Sequence, residues 1–534
     1  MQTLSTRVIN SLGWVFTNIL ARNLLQMLRV WILWKLLNAR DFGLNNMAWL
    51  AINFFTLLQD MGFSAAYIQR KTDLEKALNV VWYTNVGIRI LVFALLFLIA
   101  PLIAADFKEP EVSAILRAAS VCILISSFGN ASEVVLRKNF QFRSLLIIET
   151  LELIVQIGVQ VAFALQGVGV WSLVYGSIAA AAAKSFLLWW FAPVKVGRFD
   201  WPVAKDMFHY AKHMTLSTLL IWLIMHMDNY FVGKWLGAAA LGFYTLAFTI
   251  AHLIATNVGR LLGSVLFPAF SDVGHDMDRA RNAWLRAARY SMVVIVPMGV
   301  GLIVFSPEIV FGFFQRKHDV VILPISILAV FAVCRGLGTT LGDLAKGIGK
   351  PWILSRIAFW HALLMGPLLA VVAIAARPAV GLALGLAERS PTESAILELI
   401  FGRSPMAIGL IWVSVVVSVT AFFAMALSFR LLSNEVHFTA SEVRRALAPS
   451  LVAGAVMAAV GWLTKWALGL VVDAPPLARL VLAGGISVIV YGLVLWFLFP
   501  EVPAHLKGLL ARRRGEMKKA AEPPQPVISS SSTS

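Results

Sequence analysis

The sequence predicts an all-α integral membrane protein of about fourteen transmembrane helices, arranged as two similar halves. Three observations carry this. First, mean hydropathy is +0.80, and 59% of the 534 residues are hydrophobic against 14% charged. A soluble chain of this length would need far more polar surface, so lipid must be the solvent for much of it. Second, apolar runs near the roughly 20 residues that span a bilayer core recur along the chain. Third, Lys35–Ala48, KLLNARDFGLNNMA, returns 199 residues later as KWLGAAALGFYTLA at Lys234–Ala247. The offset pairs Lys35 with Lys234, Leu37 with Leu236, Ala39 with Ala238, Gly43 with Gly242 and Ala48 with Ala247. Each copy joins the first and second apolar runs of a half, as a duplicated membrane unit would.

In chain order the predicted spans are 12–37, 43–67, 79–105, 113–135, 145–166, 170–192, 210–235, 240–266, 288–314, 321–343, 353–376, 406–432, 448–471 and 477–499. Helices are expected, because open strands cannot satisfy their backbone in lipid. Only Gly167–Gly169 separates spans five and six, so these form a tight hairpin. Asn18, Arg22, Asn23, Gln26 and Arg29 interrupt the first run, which argues against a cleavable signal. With the first residue inside, 27 Lys and Arg fall on the cytoplasmic side and 12 on the other. That bias expects both termini in the cytoplasm and an even number of spans.

Within the long loop 377–405, Ser390-Pro391-Thr392-Glu393 reads as a capping box for a short interfacial helix over Ala395–Phe401. Beyond Ala520 the chain is rich in Pro and Ser and is expected to be disordered, after a basic run that meets lipid headgroups.

The net charge of +17 sits in short loops, which excludes a nucleic-acid partner and fits an anionic membrane surface. Cys122 and Cys334 both lie in apolar runs, so a disulfide framework is excluded. No metal-ligand spacing, nucleotide-binding loop or nucleophile elbow is present.

Polar residues inside the spans point to function, because each costs about 2.5–3.5 kcal/mol on insertion scales when ionisable. Asn18, Arg22, Gln26 and Arg29 share one face of the first span. Asn46, Asn53, Thr56 and Asp60 share one face of the second. The 199-residue offset carries Arg29 to Asp228, Asn46 to Thr245 and Asn53 to His252, and Arg260 continues that stripe. Glu149, Glu152, Gln156 and Gln160 lie in the fifth span, and Arg335 in the tenth. A water-filled cavity lined by spans one, two, seven and eight is expected, with Arg22, Arg29, Arg260 and Arg335 able to fork onto an anionic headgroup. The competing reading is pairing between helices, for example Arg29 with Asp228 or Arg22 with Asp60.

Several segments resemble the polysaccharide-transport branch of the MOP superfamily of multidrug, oligosaccharidyl-lipid and polysaccharide exporters. They are Arg40-Asp-Phe-Gly-Leu, Asp60-Met-Gly-Phe-Ser-Ala-Ala-Tyr-Ile-Gln-Arg-Lys71, Gly167-Val-Gly-Val-Trp-Ser-Leu-Val, the run Asp228 to Tyr244, and Pro268-Ala-Phe-Ser. The resemblance covers residues 5–376 and more loosely extends to 500; the loop 377–405 departs from it.

It implies two six-helix lobes, 1–192 and 193–432, with 377–405 as an insertion in the second. Two added helices at 433–504 and a cytoplasmic tail at 505–534 would follow. It implies a flippase that moves undecaprenyl-diphosphate-linked oligosaccharide across a bacterial inner membrane for exopolysaccharide, capsule or O-antigen synthesis. Polymerase and glycosyltransferases of the same pathway would be its partners. No cofactor is expected beyond a coupling H+ or Na+, for which Asp60, Glu149, Glu152 and Asp228 are the candidates. A multidrug/cation antiporter would favour an acidic cavity, and a membrane polymerase would need a larger, better-equipped outer loop.

Overall fold

The computed structural model describes the backbone of residues 22–60, 63–70, 72–139, 141–273, 276–314, 316–350, 352–386, 405–471 and 475–498. Side chains are described for these except at 58–60, 208–221, 253–269, 373–386 and a few isolated positions. The expected capping box at 390–393, the basic tail and the insertion's short helix lie outside the described residues.

Apart from short turns and the connection 192–200, the described residues are helical, with no strand. The helices are α1 (22–36), α2 (Ala39–Asp60), α3 (Phe63–Gln69), α4 (Leu74–Phe107), α5 (Glu111–Lys138), α6 (Phe142–Leu165) and α7 (Val170–Phe191). They continue with α8 (Trp201–Val273), α9 (Met277–Phe313), α10 (Ile322–Gly347), α11 (Trp352–Leu386), α12 (Pro405–Val436), α13 (Ala440–Val471) and α14 (Pro476–Leu498). A short 3-10 turn, Arg316–Val321, links α9 to α10. Among the described residues, eleven helical stretches are long and apolar enough to cross a bilayer, so the chain is a multi-pass membrane protein. The eleven fall short of the expected fourteen. One of them, Trp222–His252, contains a break in the backbone.

The break is at Gly237, whose φ of 85° and ψ of 177° divide α8 into α8a before it and α8b after it. Glycine takes this left-handed φ without a Cβ clash. The turn falls where the repeat places it, as the counterpart of the α1–α2 turn at 37–38. Between α6 and α7 the predicted hairpin closes over Gly167 and Gly169, with φ of 76° and 60°.

A few helix ends are closed by side chains. The Lys138 ammonium donates to the carbonyls of Tyr67, Ile68 and Arg70 at 2.7, 3.1 and 2.6 Å, closing the last turn of α3. Thr439 and Glu442 cap α13 reciprocally: the Thr439 amide donates to Glu442 Oε2 at 3.0 Å and the Glu442 amide to Thr439 Oγ1 at 3.3 Å.

The buried core has a different form at the two ends of the bundle. At the end bearing the α1–α2 and Gly237 turns, one apolar cluster runs through both halves, from Trp34, Met47 and Ile115 to Leu241, Tyr244, Leu328 and Val417. At the opposite end the clusters separate. Phe63, Val80, Val134 and Met207 form one in the first half. Trp284, Phe270, Leu341 and Leu432 form another in the second. Among the described residues the apolar core thus joins the halves at the turn end and forms separate clusters at the other. The start of α8 travels with the first half, held by Arg70–Asp206 at 2.6 Å and Lys76–Asp200 at 3.5 Å.

α13 and α14 dock on α9. Gly461 lets α13 approach Phe305 and Ser487, and Lys465 of α13 meets Glu308 of α9 at 2.9 Å.

Candidate functional site

The repeat locates the pseudo-twofold axis by contact. Asn46 Nδ2 donates to Thr245 Oγ1 at 2.9 Å, and these residues are 199 positions apart. A residue can touch its own counterpart only on the axis. The backbone repeats the pattern reciprocally: a Cβ at Gly43 would lie 1.7 Å from the Ala238 carbonyl oxygen, and one at Gly242 1.9 Å from that of Ala39. Gly43 pairs with Gly242 in the repeat and Ala39 with Ala238. Two glycines therefore allow α2 and α8b to cross backbone to backbone, as small residues do between membrane helices. Beside the crossing, Trp34 stacks on Phe42 at 4.4 Å and meets Phe243 at 6.0 Å and His318 at 5.3 Å.

The sequence-predicted polar residues fall into two groups, one on each side of this axis. In the first half, Arg22 of α1 forms an ion pair with Glu149 of α6. One stretch along the same helices, Arg29 Nε donates to Gln160 Oε1 at 2.8 Å, and its NH1 to Gln26 Oε1 at 3.2 Å. The buried Gln160 in turn donates to the Leu173 carbonyl at 3.3 Å. Lys184 of α7 lies 3.6 Å from Glu133 and 3.7 Å from Glu152. Where the competing reading paired Arg29 with Asp228, Arg29 takes a neutral amide, and Arg22 takes Glu149, because α1 lies along α6. Asn53 is half-buried on α2, its carbonyl accepting from the Thr56 hydroxyl at 2.7 Å.

In the second half, Asp228 of α8a is buried at 2% exposure. Its carboxylate accepts from Tyr244 Oη at 2.6 Å and from the Asn229 amide at 2.8 Å. It lines a narrow cleft with Met225, Phe248, Phe331, His361 and Met365. Arg335 of α10 reaches the rim of that cleft, its NH2 3.4 Å from Met225 Sδ. His252 stacks on Phe248 at 5.1 Å. Asp228, His252 and Arg335 thus come together around one cleft. Arg22, Arg29, Glu149 and Glu152 come together along α1 and α6. The side chains of Asp60 and Arg260 lie outside the described residues. No cluster of His, Cys, Asp or Glu able to hold a metal occurs among the described residues.

Charge compensation separates the arginines. Glu149 neutralises Arg22. Arg29 and Arg335 meet only neutral partners among the described residues, an amide and a thioether. An unneutralised guanidinium within the bilayer costs several kcal/mol unless an anion or water meets it. Each half therefore carries a cation that no described residue neutralises.

Sequence reasoning did not single out His361 and Tyr244. Each is one polar residue in an apolar run, and only the fold brings them to Asp228.

A family model described as "Polysaccharide biosynthesis protein" matches residues 32–323, more than half of the chain. The teichuronic acid biosynthesis protein TuaB of Bacillus subtilis (strain 168) is 24% identical over 355 residues, covering 65% of this chain and 73% of its own. The succinoglycan biosynthesis transport protein ExoT of Rhizobium meliloti (strain 1021) is 25% identical over 364 residues, covering 67% and 72%. Among solved structures, lipid II flippase MurJ in an inward closed conformation superposes with a TM-score of 0.62 at 14% identity. It covers 90% of this chain and 99% of that one.

Proposed function

Since the chain belongs to the polysaccharide biosynthesis protein family, we propose that it is a flippase for undecaprenyl-diphosphate-linked oligosaccharide repeat units. The observation that carries the reading is a pair of arginines that no described carboxylate neutralises, Arg29 in one half and Arg335 in the other. A diphosphate supplies the charge that each lacks, through the forked hydrogen bonds a guanidinium makes to phosphate. The polyprenyl tail stays in lipid while sugars and diphosphate occupy the space between the halves. Rocking of one half against the other carries them across. The name of ExoT, a transport protein of succinoglycan biosynthesis, and the flippase fold shared with MurJ support this reading.

The same proposal makes the chain a transporter rather than an enzyme, in a bacterial inner membrane with both termini cytoplasmic. Glycosyltransferases would supply its cargo and a polymerase would consume it. Coupling to H+ or Na+ is assigned to Asp228 ahead of Asp60, Glu149 and Glu152. Its buried carboxylate has neutral partners, whereas Glu149 is neutralised by Arg22 and Glu152 lies beside Lys184.

The test is the leaflet on which lipid-linked repeat units accumulate. A strain lacking the chain should hold them on the inner leaflet. Arg29→Ala and Arg335→Ala should each reduce export by about tenfold or more, the factor expected from losing a charge-assisted bond of roughly 1.5–3 kcal/mol. Outer-leaflet accumulation without the chain, or normal export in both variants, overturns the proposal.

A further inference from the structure

The seal at the turn end contains one ion pair between the halves that the substrate site does not use. Asp106, at the end of α4, places Oδ1 2.5 Å from Lys234 Nζ and Oδ2 3.0 Å from Tyr230 Oη, both on α8a. Lys234 Nζ also lies 2.8 Å from Tyr230 Oη, which closes a triangle of three polar groups. The next residue, Phe107, meets the Tyr230 ring at 5.8 Å. A Cβ at Gly233 would come within 3.0 Å of Phe107, so the end of α4 is seated against α8a.

The repeat makes this contact one-sided. Lys35 is the counterpart of Lys234, and Trp31 of Tyr230. Lys35 lies over the Trp31 ring at 3.9 Å, and none of the ion pairs among the described residues involves it. Arg40, beside that turn, pairs with Glu109 and Glu111 of its own half, at 2.8 and 3.2 Å. Among the described residues, Asp106–Lys234 is therefore the ion pair that ties the two halves together at the sealed end.

We propose that Asp106 is the latch of an outer gate. It holds Lys234 and Tyr230 while the α2–α8b crossing is closed, and it releases them each time that end opens. The pair suits this role because it is not buried: Asp106 is 41% and Lys234 28% exposed, so water replaces each partner on opening. Its contribution is the small one of an accessible ion pair, enough to bias an equilibrium and too little to lock it. The larger part of the closed seal is the apolar cluster around Met47, Leu241 and Tyr244.

The inference rests on the alternating cycle and the orientation proposed above, and its test reads the gate without any cargo. Cys122 and Cys334 are replaced by Ala, and Ala48→Cys reports from a position fully buried in the closed crossing. A membrane-impermeant maleimide is applied from outside. Asp106→Asn should raise the labelling rate by about 1.5- to fivefold, as expected for an exposed ion pair worth roughly 0.2–1 kcal/mol. Lys234→Asp should do the same, and the exchange Asp106→Lys with Lys234→Asp should bring the rate back towards that of the parent. Unchanged labelling in Asp106→Asn, or an exchange that behaves like the singles, overturns the latch. Correct membrane insertion of each variant is checked by its melting temperature in detergent. Export measured in parallel keeps the two proposals apart, because loss of the latch leaves the leaflet result of the deletion strain untouched.

Discussion

Gly43→Ala probes the axis directly. The added Cβ would lie 1.7 Å from the Ala238 carbonyl oxygen, 2.4 Å from its carbonyl carbon and 2.9 Å from its Cα. All three are backbone atoms, so no side-chain rotamer relieves the overlap. α2 and α8b must separate by more than about 1 Å to restore ordinary contact, which opens the cluster around Met47 and Tyr244 to voids on both sides. Overpacking of this kind costs about 1–3 kcal/mol, and the rigid neighbours place Gly43→Ala at the upper end. Only the closed state carries the cost, so the ratio of closed to open falls by roughly 5- to 150-fold. Gly242→Ala meets Ala39 in the same way, at 1.9 Å. The two effects should not add: once the helices have parted for one methyl, the second finds room, and the double variant should resemble either single.

The assay is cross-linking of Asn46→Cys with Thr245→Cys, whose native side chains are 2.9 Å apart. In the parent the pair should join rapidly and stop polymer export until a reductant is added. In Gly43→Ala the cross-linking rate should drop in proportion to the closed fraction. Gly87→Ala, with open space around the added Cβ, is the control. Parental cross-linking and normal export in Gly43→Ala would refute the reasoning.

Two further outcomes follow from ion pairs elsewhere in the bundle. Glu308→Ala leaves the part-buried Lys465 ammonium without its carboxylate and should cost about 1–3 kcal/mol of stability in detergent, whereas Glu308→Met with Lys465→Met should be close to neutral. A double variant as unstable as the single in thermal melts would show that Glu308 and Lys465 do not act as a pair. Arg22→Gln and Glu149→Gln should each lower the yield of folded protein in the membrane, and the double variant should recover most of it. Size-exclusion profiles that worsen in the double variant would count against that pairing.

Much of the architecture was legible because it follows from solvent and periodicity. Apolar runs near 20 residues became helices, since lipid leaves the backbone no other partner. The Lys35–Ala48 repeat was legible as a repeat. Its meaning sharpened in the structure, where the glycines at its centre are the points at which the two copies touch. Of the expected 377–405 insertion, residues 377–386 continue α11, and 387–404 with the Ser390 cap fall outside the described residues. Partner choice was not legible. The stripe in the first span and the offset to Asp228 suggested Arg29–Asp228, since both positions are polar and symmetry-related. Symmetry-related side chains meet only when they lie on the axis, as Asn46 and Thr245 do. Arg29 faces α6 instead, and Gln160 is the polar group at its height. Rotation of a helix about its own axis decides such pairings, and tertiary packing sets it.

That distinction also decides which polar residues in the spans argue for transport. Periodicity placed Arg22 and Arg29 on one face and gave them equal standing. In the fold they differ by a single neighbour: Arg22 has the Glu149 carboxylate, and Arg29 has the Gln160 amide. An arginine neutralised within the protein has its insertion cost offset by structure and needs no cargo to explain it. One held by an amide or a thioether keeps its charge available, and a bilayer tolerates that only where water or an anion arrives to meet it. Arg29 and Arg335 satisfy this condition in opposite halves, and Asp228, held by Tyr244, satisfies it with the opposite sign. On the function proposed above, a cargo bound by both arginines would bridge the two halves. Occupancy and the relative position of the halves are then linked through the same two charges, so removing either arginine should uncouple binding from rocking, beyond weakening affinity.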